Sequence, residues 1–574
     1  MRIRLRPTLG AVAIAVIAAA SYAGLAQSLA FAPTTRNFPL AGGNLANQRY
    51  SALKGITPAN VSKLSGAWMV HLEEDGQVAG AMQGTPVIVD GVLYIGSGSG
   101  KIFAIDAATG ARTWTYQPTA GGQTNRGVTV AEGLVFSGQG GNRLVALDQK
   151  TGRLVWETVV GDRGGTPGAT IYANGLVFAG VAGGEAGVRG HFGAYEAKTG
   201  KPVWAFNTIP GPGEFGHDTW EGDSWQRGGG PLWSHPAVDP ELGLVYLPVG
   251  NASPDTDGSQ RGGDNLFTSS IVALDLKTGV RKWHFQEVHH DLWDYDNQTP
   301  PVLADVRVGD QMRRLLIHGG KTGLTYILDR TNGRPVVGIE ERPVPQEPAQ
   351  KTAKTQPFPI GDTVVPTCPE QGSVAAGSRS DCVFAAYRAD NPVVTTPGTQ
   401  GGFNWAPMTF SPLTNLIYVP ASIINSQFGP SFSRPAGQPR AGTLTAVNPA
   451  TNRIVWQKRT KFPLGTGSGL LSTASGLLFH GESDGNVVAY DIRNGDVLWS
   501  FQTGAGADAP VATYEVNGEQ YVAILAGGNS FQLSQRGDNL WAFKIGGTVA
   551  PLPAPPEPPT SQPAGGRRGR GGMR

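Results

Sequence analysis

Four stretches of the sequence place polar side chains directly after apolar, strand-like segments. Carboxylate and amide oxygens are the hard ligands that Ca²⁺ takes, a carboxylate can remove a hydroxyl proton as a general base, and a lysine supplies a positive charge. The stretches are GGEAGVRG at 183–190 with Glu185, WSHPAVDPELGLVYLPVGNASPDTDG at 233–258 with Asn251, VHHDLWDYDNQTPP at 288–301 with Asp291, Asp294 and Asp296, and LLIHGGKTGLTYILD at 315–329 with Lys321.

No single stretch resembles an EF-hand loop, so a metal site would have to be assembled from several structural elements. Asp and Asn are also common in surface turns, and the residues by themselves leave both interpretations open. The adjacent His289 and His290 have no third ligand at a useful spacing for zinc. We expect them to be ordinary histidines at a strand end.

One repeated unit predicts the elements that must position these residues. Each copy has two apolar residues, Asp, two variable residues, Thr-Gly, three variable residues and Trp. The Asp side chain can cap the turn, and Gly can adopt positive φ before the next strand. The copies are AIDAATGARTW at 104–114, ALDQKTGRLVW at 146–156, AYEAKTGKPVW at 194–204 and ALDLKTGVRKW at 273–283, with weaker copies at 327–337, 446–456 and 489–499 and an echo, LWAFKI, at 540–545.

The repeat predicts an all-β protein, an eight-bladed β-propeller with tryptophan-docking repeats. Other strand signals precede most copies, which gives about four short strands in each unit of about 40–50 residues, as in a propeller blade. Seven copies and the echo indicate eight blades, with seven blades as the alternative. We expect the repeated tryptophans to pack between blades, namely Trp114, Trp156, Trp204, Trp283, Trp456 and Trp499.

The composition agrees with a turn-dense β protein that has a large core. Of 574 residues, 82 are Gly and 43 are Pro, whereas charged residues make up only 16%. This excludes a coiled coil and a charge-rich disordered chain. The net charge of +2 gives no basic footprint, so we expect no nucleic-acid partner.

Both ends of the sequence differ from the predicted propeller at 37–546. Three arginines and an apolar run over 9–20 predict a secretory signal peptide at 1–26, with residue 32 as an alternative end and an uncleaved anchor as the other interpretation. No other segment is long and apolar enough to span a membrane. The segment 551–574 is Pro-rich and then Gly/Arg-rich, which predicts a disordered tail. Export favours a disulfide between Cys368 and Cys382, the alternative being two free thiols in a mobile loop.

The chain resembles the quinoprotein dehydrogenases, which bind pyrroloquinoline quinone (PQQ) on an eight-bladed propeller. GEAGVRG, GNASP and HDLWDYD carry the resemblance, in this order and among these repeats. The opening NFPLAGGNLANQRYSALKGITPANVSKLSGAW at 37–68 and the closing YEVNGEQYVAILAGG at 514–528 extend it over nearly the whole chain. It implies a periplasmic dehydrogenase that oxidises an alcohol, polyol or aldose by hydride transfer to metal-bound PQQ.

The resemblance also implies roles for individual residues. It makes Glu185, Asn251 and Asp294 ligands of Ca²⁺ and Asp294 the general base, with Asp296 as a further ligand if the metal is a lanthanide ion. The residues it implies at the cofactor are Trp233 as a stacking platform, Arg126 and Lys321 as positive partners, Gln83 and Asn404 as polar contacts, and Gly183 and Gly184 as points of close backbone approach.

Two features depart from the alcohol-oxidising members of that family. Ala120 and Gly121 stand where many of them have two adjacent cysteines, which resembles the glucose and polyol branch. The sequence has no Cys-x-x-Cys-His motif, so we expect no covalent haem domain in it and a separate electron acceptor, cytochrome c or a quinone. The alternative from another functional class is a non-catalytic propeller scaffold of the outer-membrane assembly type.

Overall fold

The computed structural model of the protein describes residues 31–73, 80–119, 121–429 and 432–563. The signal peptide predicted for 1–26, the position Ala120 and the last part of the predicted tail, 564–574, lie outside the described residues. The regular secondary structure of the described residues is almost entirely β-strand, as the repeat predicts. None of its helices is long and apolar enough to cross a membrane.

The strands are numbered in chain order. The first eighteen are β1 (Tyr50–Ser51), β2 (Leu64–His71), β3 (Val87–Val89), β4 (Val92–Gly96), β5 (Ile102–Asp106), β6 (Arg112–Tyr116), β7 (Thr129–Ala131), β8 (Leu134–Gln139), β9 (Arg143–Asp148), β10 (Leu154–Val159), β11 (Ile171–Ala173), β12 (Leu176–Gly180), β13 (His191–Glu196), β14 (Pro202–Asn207), β15 (Ala237–Asp239), β16 (Leu244–Val249), β17 (Ser270–Asp275) and β18 (Arg281–Gln286).

The second half of the chain contains longer strands and one insertion. Its strands are β19 (Val302–Val308), β20 (Gln311–Gly319), β21 (Thr325–Asp329), β22 (Ile339–Pro343), β23 (Thr355–Pro359), β24 (Ser380–Asp381), β25 (Val393–Thr395), β26 (Thr409–Ser411), β27 (Leu416–Ile424), β28 (Ser426–Phe428), β29 (Arg440–Asn448), β30 (Arg453–Thr460), β31 (Leu471–Thr473), β32 (Leu477–Gly481), β33 (Asn486–Asp491), β34 (Val497–Gln502), β35 (Ala512–Val516), β36 (Glu519–Ala526) and β37 (Asn539–Ile545). Short 3-10 helices cover Val61–Lys63, Gly184–Ala186, His217–Thr219, Ser224–Arg227 and Pro348–Gln350.

The strands form eight antiparallel meanders, which we number as blades. Blades 1 to 4 are β3–β6, β7–β10, β11–β14 and β15–β18, and blade 5 is β19–β21. Blade 6 is β26, β27, β29 and β30, and blade 7 is β31–β34 with β1 paired to its first strand. Blade 8 combines β35–β37 from the end of the chain with β2 from its beginning. The insertion between blades 5 and 6 forms the small sheet β22–β23 and the strands β24 and β25. Strand β25 also pairs with β28, which lies in the connection between β27 and β29 of blade 6.

The repeated tryptophans join neighbouring blades into a closed ring. Each indole Nε1 donates to a carbonyl in the Asp-containing turn of the next blade, or at the start of β2 in the last case. Each Gly that follows Thr or Asn in the turns of blades 1 to 5 and 7 has no room for a Cβ because a tryptophan ring lies against it. The pairs, 2.8–3.2 Å apart, are Trp68 with Ala107, Trp114 with Gln149, Trp156 with Ala197, Trp204 with Leu276, Trp283 with Arg330, Trp456 with Ile492 and Trp499 with Leu64.

The junction between blades 5 and 6 has no such tryptophan, since the copy at 327–337 ends in Val337. Asn452 takes over the contact, and its Nδ2 donates to Thr325 O at 3.2 Å and to Ile360 O at 3.1 Å. Val337 packs against the apolar cluster that includes Ile454. With this junction the described residues form eight such sheets in sequence order.

The N-terminal segment crosses the ring and contacts several blades. Asn47 Nδ2 donates to Pro236 O at 3.1 Å and to Pro301 O at 3.0 Å. Arg49 is fully buried, and its guanidinium donates to backbone carbonyls that include Leu470 O at 2.7 Å. The carbonyl groups that these side chains satisfy belong to blades far apart in sequence, so this segment adds to the closure by β2.

Backbone hydrogen bonds join the described part of the predicted tail to the segment 437–440, and the disorder predicted for 551–574 stays a prediction. Gln562 N donates to Gln438 O and Gly437 N donates to Gln562 O, both at 2.8 Å, and Arg440 N donates to Thr560 O at 2.8 Å. The bonding residues of the segment, Thr560 and Gln562, are two of its non-proline residues. The predicted disulfide between Cys368 and Cys382 is present.

Removal of one docking tryptophan should destabilise the protein strongly. Trp283 is 7% exposed, so Trp283→Ala should lower the free energy of unfolding by about 3–5 kcal/mol. Denaturant titration measures the free energy of unfolding of this variant and of a control, Val280→Ala. The side chain of Val280 is 59% exposed, so the control should change stability by less than about 0.5 kcal/mol. Equal effects would contradict the docking role.

Candidate active site

The blade topology brings the predicted site residues to one end of the ring. In an antiparallel meander, the start of the first strand and the end of the second strand lie at the same edge. Glu185 follows β12, Asn251 follows β16, Lys321 follows β20, and Asp294 lies between β18 and β19. The residues that precede the first strand of a blade are Gln83, Arg126, Trp233 and Asn404.

Lys321 forms the centre of the charged cluster. Its Nζ lies 2.9 Å from Asp294 Oδ1 and 2.7 Å from Asp296 Oδ2. The side chains of Lys321 and Asp296 are 6% and 4% exposed, while Asp294 is 19% exposed. The hydrogen bond from Lys321 to Asp294 uses Oδ1, and none from Lys321 to Oδ2 is found among the described residues.

The charges in this cluster shift one another's proton affinity. Burial raises the pKa of Asp294 well above its usual range, Lys321 opposes that rise, and Asp296 and Asp255 add to it. Burial alone would lower the pKa of Lys321, but the two aspartates outweigh burial and raise it. The ammonium of Lys321 is thus held in its charged form while it faces two carboxylates.

Asn251 and Asp255 extend the cluster toward Glu185. Asn251 N donates to Asp296 Oδ1 at 3.0 Å, and Asn251 Nδ2 donates to Asp255 Oδ1 at 2.9 Å. Burial raises the pKa of Asp255 to about 7, with a further contribution from Glu185. Glu185 is exposed to solvent, yet the surrounding protein, and then Asp296, raise its pKa as well.

Glycines permit the close approach of these elements. A Cβ on Gly184 would lie 2.9 Å from Pro231 Cδ, and a Cβ on Gly250 would lie at the same distance from that atom. The residues after these two glycines, Glu185 and Asn251, are therefore brought together around one proline. Gly183 and Gly184 meet protein atoms here, so their predicted contact with a cofactor remains a prediction.

An arginine and two tryptophans form the wall next to this cluster. The Arg126 guanidinium carbon lies 4.9 Å from the centre of the Trp233 ring and 5.4 Å from that of Trp405. Its Nη1 donates to Trp233 O at 2.8 Å, and burial lowers the pKa of Arg126 to about 9. Gln298 Oε1 fixes the main chain by accepting from Trp233 N at 3.0 Å.

Several buried polar atoms in this region have no hydrogen-bond partner among the described residues. They include Gln83 Oε1, Arg126 Nε, Asn251 Oδ1 and Trp405 Nε1. Buried polar groups are nearly always satisfied, so these atoms point to a bound group with both acceptors and a positive centre. An anionic ring compound next to a cation fits this set. Asn404 fits less clearly, because its amide already bonds Gln400 O and Trp405 N.

One of the predicted metal ligands is the side-chain amide oxygen of an asparagine, Asn251. No three His, Cys, Asp or Glu side chains converge on a possible metal position within the described ranges. The three ligands predicted from the resemblance, Glu185, Asn251 and Asp294, are compatible with this because one of them is an asparagine. Asp291 has a structural task instead, since its carboxylate accepts from Trp293 N and Tyr295 N at 3.0 and 3.1 Å.

Comparison with known proteins gives one consistent family. The family model described as "PQQ: Glucose/ethanol/alcohol dehydrogenase, beta-propeller domain" matches residues 38–429 and 420–522. The chain belongs to this PQQ-dependent dehydrogenase family. The quinohemoprotein alcohol dehydrogenase of Comamonas testosteroni is 35% identical, over 88% of this chain and 75% of that protein. Its crystal structure superimposes with a TM-score of 0.77, covering 92% of this chain and 83% of that chain.

Two further relatives of the PQQ-dependent dehydrogenase family are matched over nine tenths or more of their own length. The quinoprotein alcohol dehydrogenase PedH of Pseudomonas putida is 31% identical, over 88% of this chain and 90% of that protein. A europium-containing methanol dehydrogenase has a TM-score of 0.74 at 26% identity, over 90% of this chain and 99% of that chain. These relatives are named as alcohol dehydrogenases.

Sequence reasoning missed Asp255, Gln298 and Trp405 in this PQQ-dependent dehydrogenase. Asp255 lies in the stretch 233–258 and Trp405 follows Asn404, both of which the sequence analysis names, so adjacency could have identified them. Gln298 acts on Trp233 from 65 residues away in the chain. That contact has no signal in a single sequence.

Substitution of Gly401 should displace Lys321. Gly401 has φ +74°, and a Cβ there would lie 2.5 Å from Lys321 Cα. Gly401→Ala should weaken PQQ binding about tenfold or more, equivalent to ~1.4 kcal/mol, in an absorbance titration of the apoprotein. Gly372→Ala is the matched control, because Gly372 has φ +78° and open space around its Cβ position. Equal PQQ affinities in the two variants would contradict the assigned role of Lys321.

Proposed function

We propose that the protein oxidises an alcohol with PQQ and a bound metal ion, using the cluster around Lys321. The observation that carries the proposal is the convergence of Lys321, Asp294, Asn251 and Glu185 in one site of a chain that belongs to the PQQ-dependent dehydrogenases. These residues come from three separate blades and the loop that joins two of them. A propeller that only held its blades together would not need buried carboxylates around a lysine.

The residues of the wall would hold the cofactor. PQQ supplies a quinone that takes up hydride from the alcohol carbon when a metal ion polarises it. Trp233 offers a flat apolar surface for its rings, and Arg126 offers a guanidinium for its carboxylates. Gln83, whose Oε1 is buried and unsatisfied among the described residues, supplies a polar contact at the edge.

Glu185, Asn251 and Asp294 would bind the metal, which we propose to be Ca²⁺. Asn251 Oδ1 is buried without a partner in the described structure, and Asp294 Oδ2 lies outside the pair with Lys321. Asp296, the predicted additional lanthanide ligand, already uses Oδ2 for Lys321 and Oδ1 for Asn251 N. This favours Ca²⁺, while the europium-containing relative keeps a lanthanide ion as the alternative.

Asp294 would act as the general base on the substrate hydroxyl. Its φ of +60° points to a backbone that the surrounding structure constrains. Lys321 holds one carboxylate oxygen at 2.9 Å and opposes the rise in the pKa of Asp294 that burial causes. The carboxylate of Asp294 can accept the hydroxyl proton as the carbon–hydrogen bond breaks.

The substrate is an alcohol, and the relatives support this class above a polyol or aldose. The electrons from each oxidation must leave to a separate acceptor, for which cytochrome c and a quinone are both compatible. We place this chemistry in the periplasm, on the basis of the predicted signal peptide. The non-catalytic scaffold is not supported, since the relatives at 35% and 31% identity are both named as dehydrogenases.

Loss of the base should abolish turnover. Asp294→Asn keeps the shape of the side chain but cannot accept the proton, so dye-linked alcohol oxidation with saturating PQQ and Ca²⁺ should fall by about 10²–10⁴-fold. Asp390→Asn is the control, because Asp390 is 74% exposed in a surface pair with Arg388. Retained turnover in Asp294→Asn would show that another group removes the proton.

Removal of the metal should be reversible and selective. Treatment with a chelator should abolish alcohol oxidation, and Ca²⁺ should restore it, because Glu185, Asn251 and Asp294 provide only oxygen ligands. Activity assays after addition of Ca²⁺ or La³⁺ to the chelated protein measure the preference. Recovery with La³⁺ alone would contradict the assignment of Ca²⁺.

A further inference from the structure

Arg434 is a positive side chain beside the active site that no described residue neutralises. Its Nε is buried without a hydrogen-bond partner, and no ion pair joins it to an acid within the described ranges. Burial lowers the pKa of Arg434, and the charge of Asp294, the proposed base, opposes this. A guanidinium in this position lacks the bidentate acceptor that it is built to bind.

A second arginine lies next to it and is also without a carboxylate. Arg440 is 1% exposed, and it donates to two uncharged acceptors, Phe531 O at 2.8 Å and Gln562 Oε1 at 3.3 Å. Burial and the charge of Arg434 lower the pKa of Arg440 to about 10. Two neighbouring buried cations repel each other, so an anion between or beside them would be stabilising.

The segment that carries Arg434 is fixed by backbone bonds on both sides. Gln427 and Ser433 exchange two hydrogen bonds of 2.9 Å, which ties the segment to β28. On the other side, Gly437 N donates to Gln562 O at 2.8 Å. Arg434 stands between these two attachments, so its position is set by the fold.

The arginine pair is connected to the predicted cofactor wall. Gln400 Nε2 donates to Phe531 O at 3.3 Å, the carbonyl that also accepts from Arg440. Gln400 O in turn accepts from Asn404 Nδ2 at 2.9 Å. Gln400 Oε1 is buried without a partner among the described residues. The pair therefore lies on the Asn404 side of the site, with Asp294 within electrostatic reach.

We propose that Arg434 binds an anionic group of the substrate, so that the enzyme prefers an alcohol with a carboxylate at its far end to the neutral alcohol of the same length. This inference rests on the proposed function, because it assigns the hydroxyl end of the substrate to Asp294. The carboxylate would accept from the guanidinium of Arg434, and the nearby charge of Arg440 would strengthen that contact. A carboxylate of PQQ has the same chemistry, and the experiment separates the two sources.

The test compares two pairs of substrates in the PQQ- and Ca²⁺-loaded protein. The pairs are 4-hydroxybutanoate with 1-butanol and 6-hydroxyhexanoate with 1-hexanol. In at least one pair, Arg434→Gln should raise KM for the hydroxy acid by about 10–100-fold, the loss expected for one hydrogen-bonded charge pair. The kcat for both substrates and the KM for the neutral alcohol should stay within about twofold. Arg434→Lys should recover part of the discrimination because it keeps the charge without the fork.

Two controls make the outcome specific. Arg459→Gln removes an exposed arginine that pairs with Glu370 and should leave the preference unchanged. Absorbance titration of the apoprotein with PQQ should give the same affinity for the parent and Arg434→Gln. Weaker PQQ binding, with equal losses for acid and neutral alcohol, would overturn the proposal and assign Arg434 to the cofactor.

The remaining outcomes are also decisive. A uniform fall in kcat for every alcohol would overturn the proposal by making Arg434 a partner of Asp294. Wild-type protein that oxidises neutral alcohols and shows no preference for the hydroxy acid overturns this inference alone. Wild-type protein that binds PQQ but oxidises none of the four substrates contradicts the proposed alcohol oxidation itself.

Discussion

The fit of one tryptophan ring against the next blade's turn glycine is the constraint on which the rest of the structure depends. Each blade is a small sheet that cannot bury both faces alone. The indole hydrogen bonds and the closure of blade 8 by β2 join the blades into a ring. Since every blade then presents the same strand ends at one face, residues far apart in sequence meet there. The catalytic geometry is therefore a consequence of ring closure.

At that face the main physical cost is the burial of like charges. Burial and the charge of Asp296 both raise the pKa of Glu185, Asp255 and Asp294, and Lys321 offsets only part of this through its two ion pairs. A bound cation would relieve the remaining repulsion and satisfy Asn251 Oδ1. Arg126, Arg434 and Arg440 carry positive charge without a carboxylate partner among the described residues, and anionic groups would stabilise them. The site thus offers acids for a cation and arginines for anions.

The propeller scaffold could be predicted from the sequence because each blade repeats the same short pattern. The pattern is a capped turn with a glycine, followed four residues later by a tryptophan. The motifs around Glu185, Asn251, Asp294 and Lys321 were also recognisable, and the structure brings these four together. The ion pair of Lys321 with Asp294 spans 27 residues and depends on loop paths that no short pattern encodes. Asn452 at the junction without a tryptophan and the bonds of Thr560 and Gln562 to the segment 437–440 had no such signal, because each contact joins distant segments. Arg434, in the connection between β28 and β29, belongs to no motif of the sequence.

A crystal structure of the protein soaked with PQQ and Ca²⁺ would show whether Glu185, Asn251 and Asp294 bind the metal. We expect anomalous density for the metal at about 2.3–2.6 Å from oxygens of Glu185, Asn251 and Asp294. We also expect that Lys321 keeps its ion pair with Asp296 and that the PQQ rings stack on Trp233. A metal bound elsewhere, or PQQ bound with Asn251 Oδ1 and Asp294 Oδ2 still uncoordinated, would contradict these expectations.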